Sequence, residues 1–193
     1  VETQSLYFVD MLDNSIHKYV PSTRKHTKAN VGHASLIIPV QGKNDQFVIG
    51  LDRELVLITW DGESETVSIV EKLYKVDEDK SNNAFNDGKC DPSGRLWAGT
   101  LYQTPDGNIL DEQGSLYSFQ NKKITKHASK IGIANGLAFD TSRNKFYYID
   151  SFRGTLDQYD FDIKNGTISN KKPIFTLKEG VRKNFQVLDG MTI

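Results

Sequence analysis

Three stretches of this chain repeat one another closely enough to restrict the fold to a narrow set. SLYFVDMLDNSIHKYV (5–20), QFVIGLDRELVLITWDG (46–62) and KFYYIDSFRGTLDQYDFD (145–162) each run an apolar strand, a polar turn and a second strand ending in an aromatic. Tyr7 to Tyr19, Phe47 to Trp60 and Tyr147 to Tyr159 keep nearly the same separation. RLWAGT…GSLYSF is the same unit with extra residues between its strands. The units begin near Leu6, Phe47, Leu96 and Phe146, a period of about 40 to 50 residues of antiparallel meander. Alternating apolar, aromatic and β-branched residues bounded by Gly, Asn, Asp and Pro mark strands, and helical stripes are absent. The regular spacing predicts β-propeller blades rather than a sandwich, so the fold class is all-β with about four consecutive blades of four-stranded meander.

Composition excludes several function classes. The chain has 193 residues, a formal net charge of −1, 25% charged and 37% hydrophobic residues, values of a globular chain with enough apolar material for a core. No basic excess recommends nucleic acid. The longest apolar runs, SLIIPV and LVLIT, are too short to span a bilayer, which argues against a membrane partner. A single cysteine, Cys90, forbids an intrachain disulfide and fits a reducing, cytoplasmic setting. Asn165-Gly166-Thr167 matches a glycosylation acceptor but reads first as a turn. No protein partner can be inferred.

The chemistry-bearing residues recur in register. Asn86-Asp-Gly-Lys-Cys-Asp91 leads into Leu96-Trp97, Asn135-Gly-Leu-Ala-Phe-Asp140 leads into Phe146-Tyr147, and Asp189-Gly-Met-Thr-Ile193 opens the same pattern again. Each opens the innermost strand of a blade, so Asn86, Asn135 and Asp189 are expected to meet at one end of the central channel. Two amide oxygens and a carboxylate are hard donors suited to Ca²⁺, Mg²⁺ or Mn²⁺ and tolerable for Zn²⁺. Turn-capping is the competing reading of the same residues. His17, His26, His33 and His127 lack metal-ligand spacing and are read as surface or packing residues. The insertion Tyr102 to Gly114 is expected to overhang the site as a lid, with Ile109 and Leu110 at the channel mouth. Cys90 is expected to be buried and inert.

ETQSLYFVD, HKYVPS, NNAFNDGKCDPSGRLWAGT, GSLY, IANGLAFD, FYYIDS, ISNKKPIF and DGMTI resemble, over essentially the whole chain, the SMP-30/regucalcin/gluconolactonase family. Within it the similarity is greatest to insect members, including luciferin-regenerating enzyme. The resemblance implies a six-bladed propeller with one divalent metal ion, Ca²⁺ or Zn²⁺ among those used, hydrolysing small-molecule sugar lactones. By position it makes Asn135 and Asp189 metal ligands, Asp189 also the catalytic proton acceptor, and Asn86 a substrate-contacting residue. Thr104 stands where some members carry a substrate-facing glutamate, Ala84 where an arginine is usual, and Leu188 where a proline precedes the aspartate. Those departures keep two further readings open, a non-catalytic calcium-binding regucalcin-like protein and a luciferin-regenerating role. Residues 1–193 read as one partial propeller domain, truncated at both ends, with Val1 entering just before the second strand of a blade. In that reading the upstream glutamate ligand is missing, so these residues alone are expected to bind Ca²⁺ or Zn²⁺ poorly and to show no metal-stimulated lactone hydrolysis, whereas a chain lengthened at both ends would show both.

Overall fold

The structure is a computed structural model that describes residues 4–178 and 186–193. Val1 lies outside them, so the strand it was expected to precede is first seen at Leu6. Fifteen strands and no helix are assigned among the described residues. They form four antiparallel sheets. The chain divides into two compact units, residues 1–79 and 80–193.

The first unit holds two sheets. β1 (Leu6–Asp10), β2 (Ser15–Val20) and β3 (Lys25–Asn30) form a three-stranded meander, and β4 (Ala34–Pro39), β5 (Gln46–Leu51), β6 (Glu54–Thr59) and β7 (Ser68–Lys75) form a four-stranded one. Alternation along β5 and β6 turns Phe47, Ile49, Val56 and Ile58 inward to join Ile16, Ala29, Ala34 and Trp60 in one core. The histidines do packing work. His17 is stacked between Phe8 and His26, accepting or donating through Nδ1 to His26 Nε2 at 2.8 Å. His33 lies 3.3 Å from Asp52.

The second unit repeats the plan with β8 (Asn83–Cys90), β9 (Leu96–Tyr102), β10 (Gly114–Gln120) and β11 (Lys123–Ile131) in one sheet. The other contains β12 (Ala134–Asp140), β13 (Lys145–Asp150), β14 (Thr155–Asp162) and β15 (Thr167–Thr176). Trp97, Leu116, Ile131, Leu137, Phe146, Tyr148, Tyr159 and Phe161 pack into a single core shared by the two sheets. His127 stacks on Trp97 with ring centroids 4.2 Å apart. Burying aromatic side chains of this size accounts for most of the drive to pair the sheets, at roughly 25 cal/mol per Å² of apolar area. Cys90, the last residue of β8, is half-buried rather than buried, because its strand leaves the core at that end; its thiol is free and burial, then Asp91, pushes it upward.

Both inner strands, β8 and β12, carry a bulge at the same place. The register slips between Phe85 and Asp87 in β8 and between Asn135 and Leu137 in β12. A bulge inserts one residue and re-aims the side chains beside it. Here it turns the amides of both strands toward one another.

Candidate metal and substrate site

Asn86 and Asn135 meet across the two sheets. Asn86 Nδ2 donates to Asn135 Oδ1 at 2.9 Å and to the Ala134 carbonyl at 2.7 Å. Asn135 is buried, and its own Nδ2 donates to Ser151 Oγ at 2.7 Å. The Ser151 hydroxyl, also buried, donates in turn to the Leu188 carbonyl. This chain of bonds orients the Asn135 amide: its NH₂ is committed to Ser151, so its oxygen faces Asn86 and retains a free lone pair.

The same relay ties down the segment that carries Asp189. Leu188 is held by Ser151, and the Asp189 carbonyl passes so close to Gly136 that a Cβ there would stand 2.7 Å from it. Gly136 has φ +23 and would also meet Ile149 Cδ1 at 2.5 Å, so only glycine fits between Asn135 and the 186–193 segment. Asp189 itself is exposed, and residues 186–193 have no regular secondary structure.

Asp87 is a site residue that sequence reasoning passed over, though it stands beside Asn86 in the motif. It is half-buried, and its carboxylate accepts from the Gly88 N–H at 2.7 Å and from the Gly136 N–H. Burial first, and then the nearby Asp189 charge, hold its carboxyl above the usual carboxylate range. Neither Asp87 nor Asp189 forms an ion pair among the described residues. Ser151 was also missed; a polar residue ending a strand whose counterpart in the preceding blade is Leu101 is the only sequence signal for it.

The donor types are those a hard divalent cation takes. The Asn135 amide oxygen is fixed in direction, the Asp87 carboxylate accepts from the neighbouring Gly136 N–H and feels the Asp189 charge, and all three residues offer oxygen donors. Among the described residues no group of three or more His, Cys, Asp or Glu side chains is arranged to hold a metal.

Thr104 lies in the insertion between β9 and β10. The insertion runs from the end of β9 to the start of β10, with Thr104 and Asn108 closing its tip: Asn108 N donates to Thr104 Oγ1 at 3.0 Å, and Thr104 N donates to the Asn108 carbonyl at 2.8 Å. The Thr104 hydroxyl is used inside its own turn. The base of the loop is anchored beside the start of β8, where Asn83 Nδ2 and Lys80 Nζ both donate to the Gln113 carbonyl, at 3.1 and 2.7 Å. Arg153 holds the far side, donating to Glu112 Oε1 at 3.1 Å and to the Lys130 carbonyl at 2.8 Å. Ala84 is buried within β8, opposite Leu101. Leu110 is exposed.

Comparison with known proteins gives this arrangement its context. The model of the SMP-30/Gluconolactonase/LRE-like region matches residues 1–193. The chain belongs to this family. Within the family, regucalcin of Pongo abelii is 33% identical over 193 residues, covering 99% of this chain and 61% of that protein. A solved structure of luciferin-regenerating enzyme is 42% identical, with a TM-score of 0.88 over 100% of this chain and 62% of that one. Agrobacterium tumefaciens regucalcin, described as a calcium-binding protein, superposes with a TM-score of 0.82 at 19% identity, covering 99% of this chain and 60% of that one, a likeness that bears on the fold alone. The four sheets are blades of a β-propeller. The chain spans about 60% of the length of the family members it matches. Among the described residues no helix is long and apolar enough to cross a membrane.

Proposed function

We propose that this chain carries the core of a divalent-metal-dependent hydrolase of sugar lactones. The observation that carries the reading is the Asn86–Asn135 amide pair, oriented by Ser151, beside the unpaired carboxylates of Asp87 and Asp189. In this reading Asn135 and Asp189 hold the ion, Ca²⁺ or Zn²⁺ in the first instance and Mg²⁺ or Mn²⁺ as alternatives, with Asp87 adding negative charge beside them. When bound, the ion supplies polarisation of the lactone carbonyl and a water of lowered pKa.

The protein's residues supply the rest. Asn86 keeps its amide oxygen free while its NH₂ is engaged, so it accepts a hydrogen bond from a substrate hydroxyl and fixes the ring's orientation. Asp189, exposed at the mouth of the site, accepts the proton of the attacking water as the new C–O bond forms at the carbonyl carbon. The ring C–O bond then breaks and the proton passes to the departing ring oxygen, leaving a hydroxy acid. The Tyr102–Gly114 insertion, clamped by Arg153, is the element that would choose among lactones, and the free thiol of Cys90 supports a reducing, cytoplasmic setting.

A second reading is a calcium-binding protein without hydrolase activity. It is favoured by Thr104, whose hydroxyl is spent in its own turn, and by the apolar Ala84. The 42% identity to luciferin-regenerating enzyme supports a role of that kind as a third. A pH-stat assay on gluconolactone with added Ca²⁺ or Zn²⁺, run beside calorimetric metal titration on a chain lengthened at both ends, separates them. Metal binding and hydrolysis that are both lost in Asp189→Ala are expected. Metal binding without hydrolysis of any lactone would establish the second reading, and hydrolysis unchanged in Asp189→Ala would overturn the first.

A further inference from the structure

At the opposite end of β8 and β12 from the amide pair, three turns of two blades surround a pocket of about 410 Å³. Arg95 comes from the β8–β9 turn, Gln120 and Lys123 from the β10–β11 hairpin, and Lys164 and Gly166 from the β14–β15 hairpin. Three cationic side chains line it and no carboxylate does. Ser118, Thr125 and Thr167 add hydroxyls. Neither Lys123 nor Lys164 forms an ion pair among the described residues.

Arg95 is the built part of this pocket. Its side chain is only 7% exposed, an unusual position for a charge unless it is paired. Its Nη1 pairs with Asp91 Oδ2 at 2.8 Å, and its Nε donates to Gln120 Oε1 at 3.2 Å. The guanidinium lies against the backbone of Gly166, where a Cβ would stand 2.2 Å from Cζ. Gly166 has φ +65, so glycine serves both the turn and the close approach. Held on three sides, the fork cannot swing away, while Nη2 makes only one long contact, 3.5 Å to the Ile163 carbonyl. Donor capacity is therefore left over in a fixed direction.

Asp91 neutralises the Arg95 guanidinium at 2.8 Å, so the net positive charge of the pocket comes from Lys123 and Lys164, and Arg95 contributes a donor held in place. The Asp91 carboxylate also accepts from Ser93 N, Ser93 Oγ, Arg95 N and Trp97 Nε1, at 2.9, 2.6, 3.2 and 3.0 Å, so its charge is spread over buried donors behind the guanidinium. Asp162, on the same hairpin as Lys164, is turned to the Asn165 backbone and side chain. Next to Ser118, His127 is kept neutral, its pKa lowered to about 4 by burial first and by the Arg95 charge second.

We propose that this pocket binds a phosphate dianion, free or as the monoester of a small molecule, on Arg95, Lys123 and Lys164. A fixed guanidinium N–H, the remaining Nη2 donor of Arg95, beside two exposed ammonium groups is a combination that suits a phosphate, the guanidinium donor fixing orientation and the lysines neutralising charge. A pocket of this volume, within the usual range for small-molecule sites, also has room for an organic group beyond the phosphate. The site is separate from the amide pair and stands whether or not the chain hydrolyses lactones.

The test is calorimetric titration of the protein with inorganic phosphate, with a hexose monophosphate and with the unphosphorylated hexose, at constant ionic strength set by chloride. A parallel series uses acetate. Saturable binding of at least one phosphorylated probe is expected, with the tighter of the two identifying the natural source. No binding of the hexose or of acetate is expected. In the double variant Lys123→Glu, Lys164→Glu, whose altered side chains are exposed, affinity should fall at least about tenfold, while the melting temperature without phosphate stays near that of the parent. Absence of binding by both phosphorylated probes would overturn the proposal. So would equal binding of acetate, or an unchanged affinity in the double variant.

Discussion

Replacing Asp91 by asparagine tests whether the buried carboxylate or the hydrophobic core beside it holds this end of the two blades together. Asp91 accepts five hydrogen bonds, three at Oδ1 and two at Oδ2, and every one of its neighbours is a donor. An amide has one oxygen and one NH₂, so whichever way it is turned the NH₂ faces donors. With the oxygen kept toward Ser93 and the Arg95 backbone, Arg95 Nη1 and Trp97 Nε1 lose their acceptor, and the buried guanidinium loses its counter-charge. Leaving a buried donor unmet costs about 1 to 3 kcal/mol and breaking a buried pair about 3 to 5 kcal/mol. The two counts overlap, so about 3 to 4 kcal/mol is expected for Asp91→Asn. Asp140 is an internal control. It stands at the corresponding place at the end of β12, but it is less buried, bonding Ser142 Oγ at 2.6 Å and Arg143 N at 3.1 Å, with Arg143 75% exposed. Asp140→Asn should cost about 1 kcal/mol or less. Urea denaturation of both variants measures the difference: with a slope of about 2 kcal/mol/M the Asp91 midpoint should fall by about 1.5 to 2 M, and its melting temperature by roughly 6 to 16 °C. Two variants that fall within about 0.5 kcal/mol of each other would refute the reasoning, because they would show that the five donors find other partners at no cost.

Asn135→Asp keeps the acceptor toward Asn86 but replaces the NH₂ that donates to Ser151; the single Ser151 proton must then leave the Leu188 carbonyl, so hydrogen exchange of 186–193 should accelerate while the blades stay protected. Unchanged exchange there would show that Ser151 does not hold the segment. His127 titrates in the unfolded chain near 6.5 and in the fold near 4, so the unfolded state binds the extra proton between those values and stability falls as pH is lowered through that window. His127→Gln should flatten the fall in urea midpoint between about pH 6.5 and 4, and parallel curves for parent and variant would exclude His127 as its source. Cys90, half-buried with its thiol pKa raised by burial, should react with a disulfide reagent at neutral pH at least about tenfold more slowly than a free thiol. Labelling at the rate of free cysteine would contradict the structure at the end of β8.

Blade order and strand type were legible along the chain because each depends on neighbours two to fifteen residues away. The alternation in QFVIGL and ELVLIT specifies a strand pair with one face inward, and the aromatic spacing from Tyr147 to Tyr159 specifies the length of the hairpin that joins them. Recurrence of the unit then implies blades, since a single meander cannot bury its apolar face alone. Residue identity likewise marked Asn86 and Asn135, as amides repeated at the opening of successive inner strands.

What sequence could not reach was direction. Asn86 and Asn135 are 49 residues apart, and only the paired bulges in β8 and β12 turn one amide onto the other at 2.9 Å. A bulge is a matter of register between strands, invisible in either strand alone. Thr104 was marked by its place after the motif, whereas its hydroxyl closes a local turn with Asn108, four residues on. Ser151, Asp87 and Arg95 drew no notice because a serine, an aspartate and an arginine near turns are common. Their roles come from burial and from partners contributed by other strands or by another sheet, a balance of desolvation against hydrogen bonding that exists only once the blades have packed.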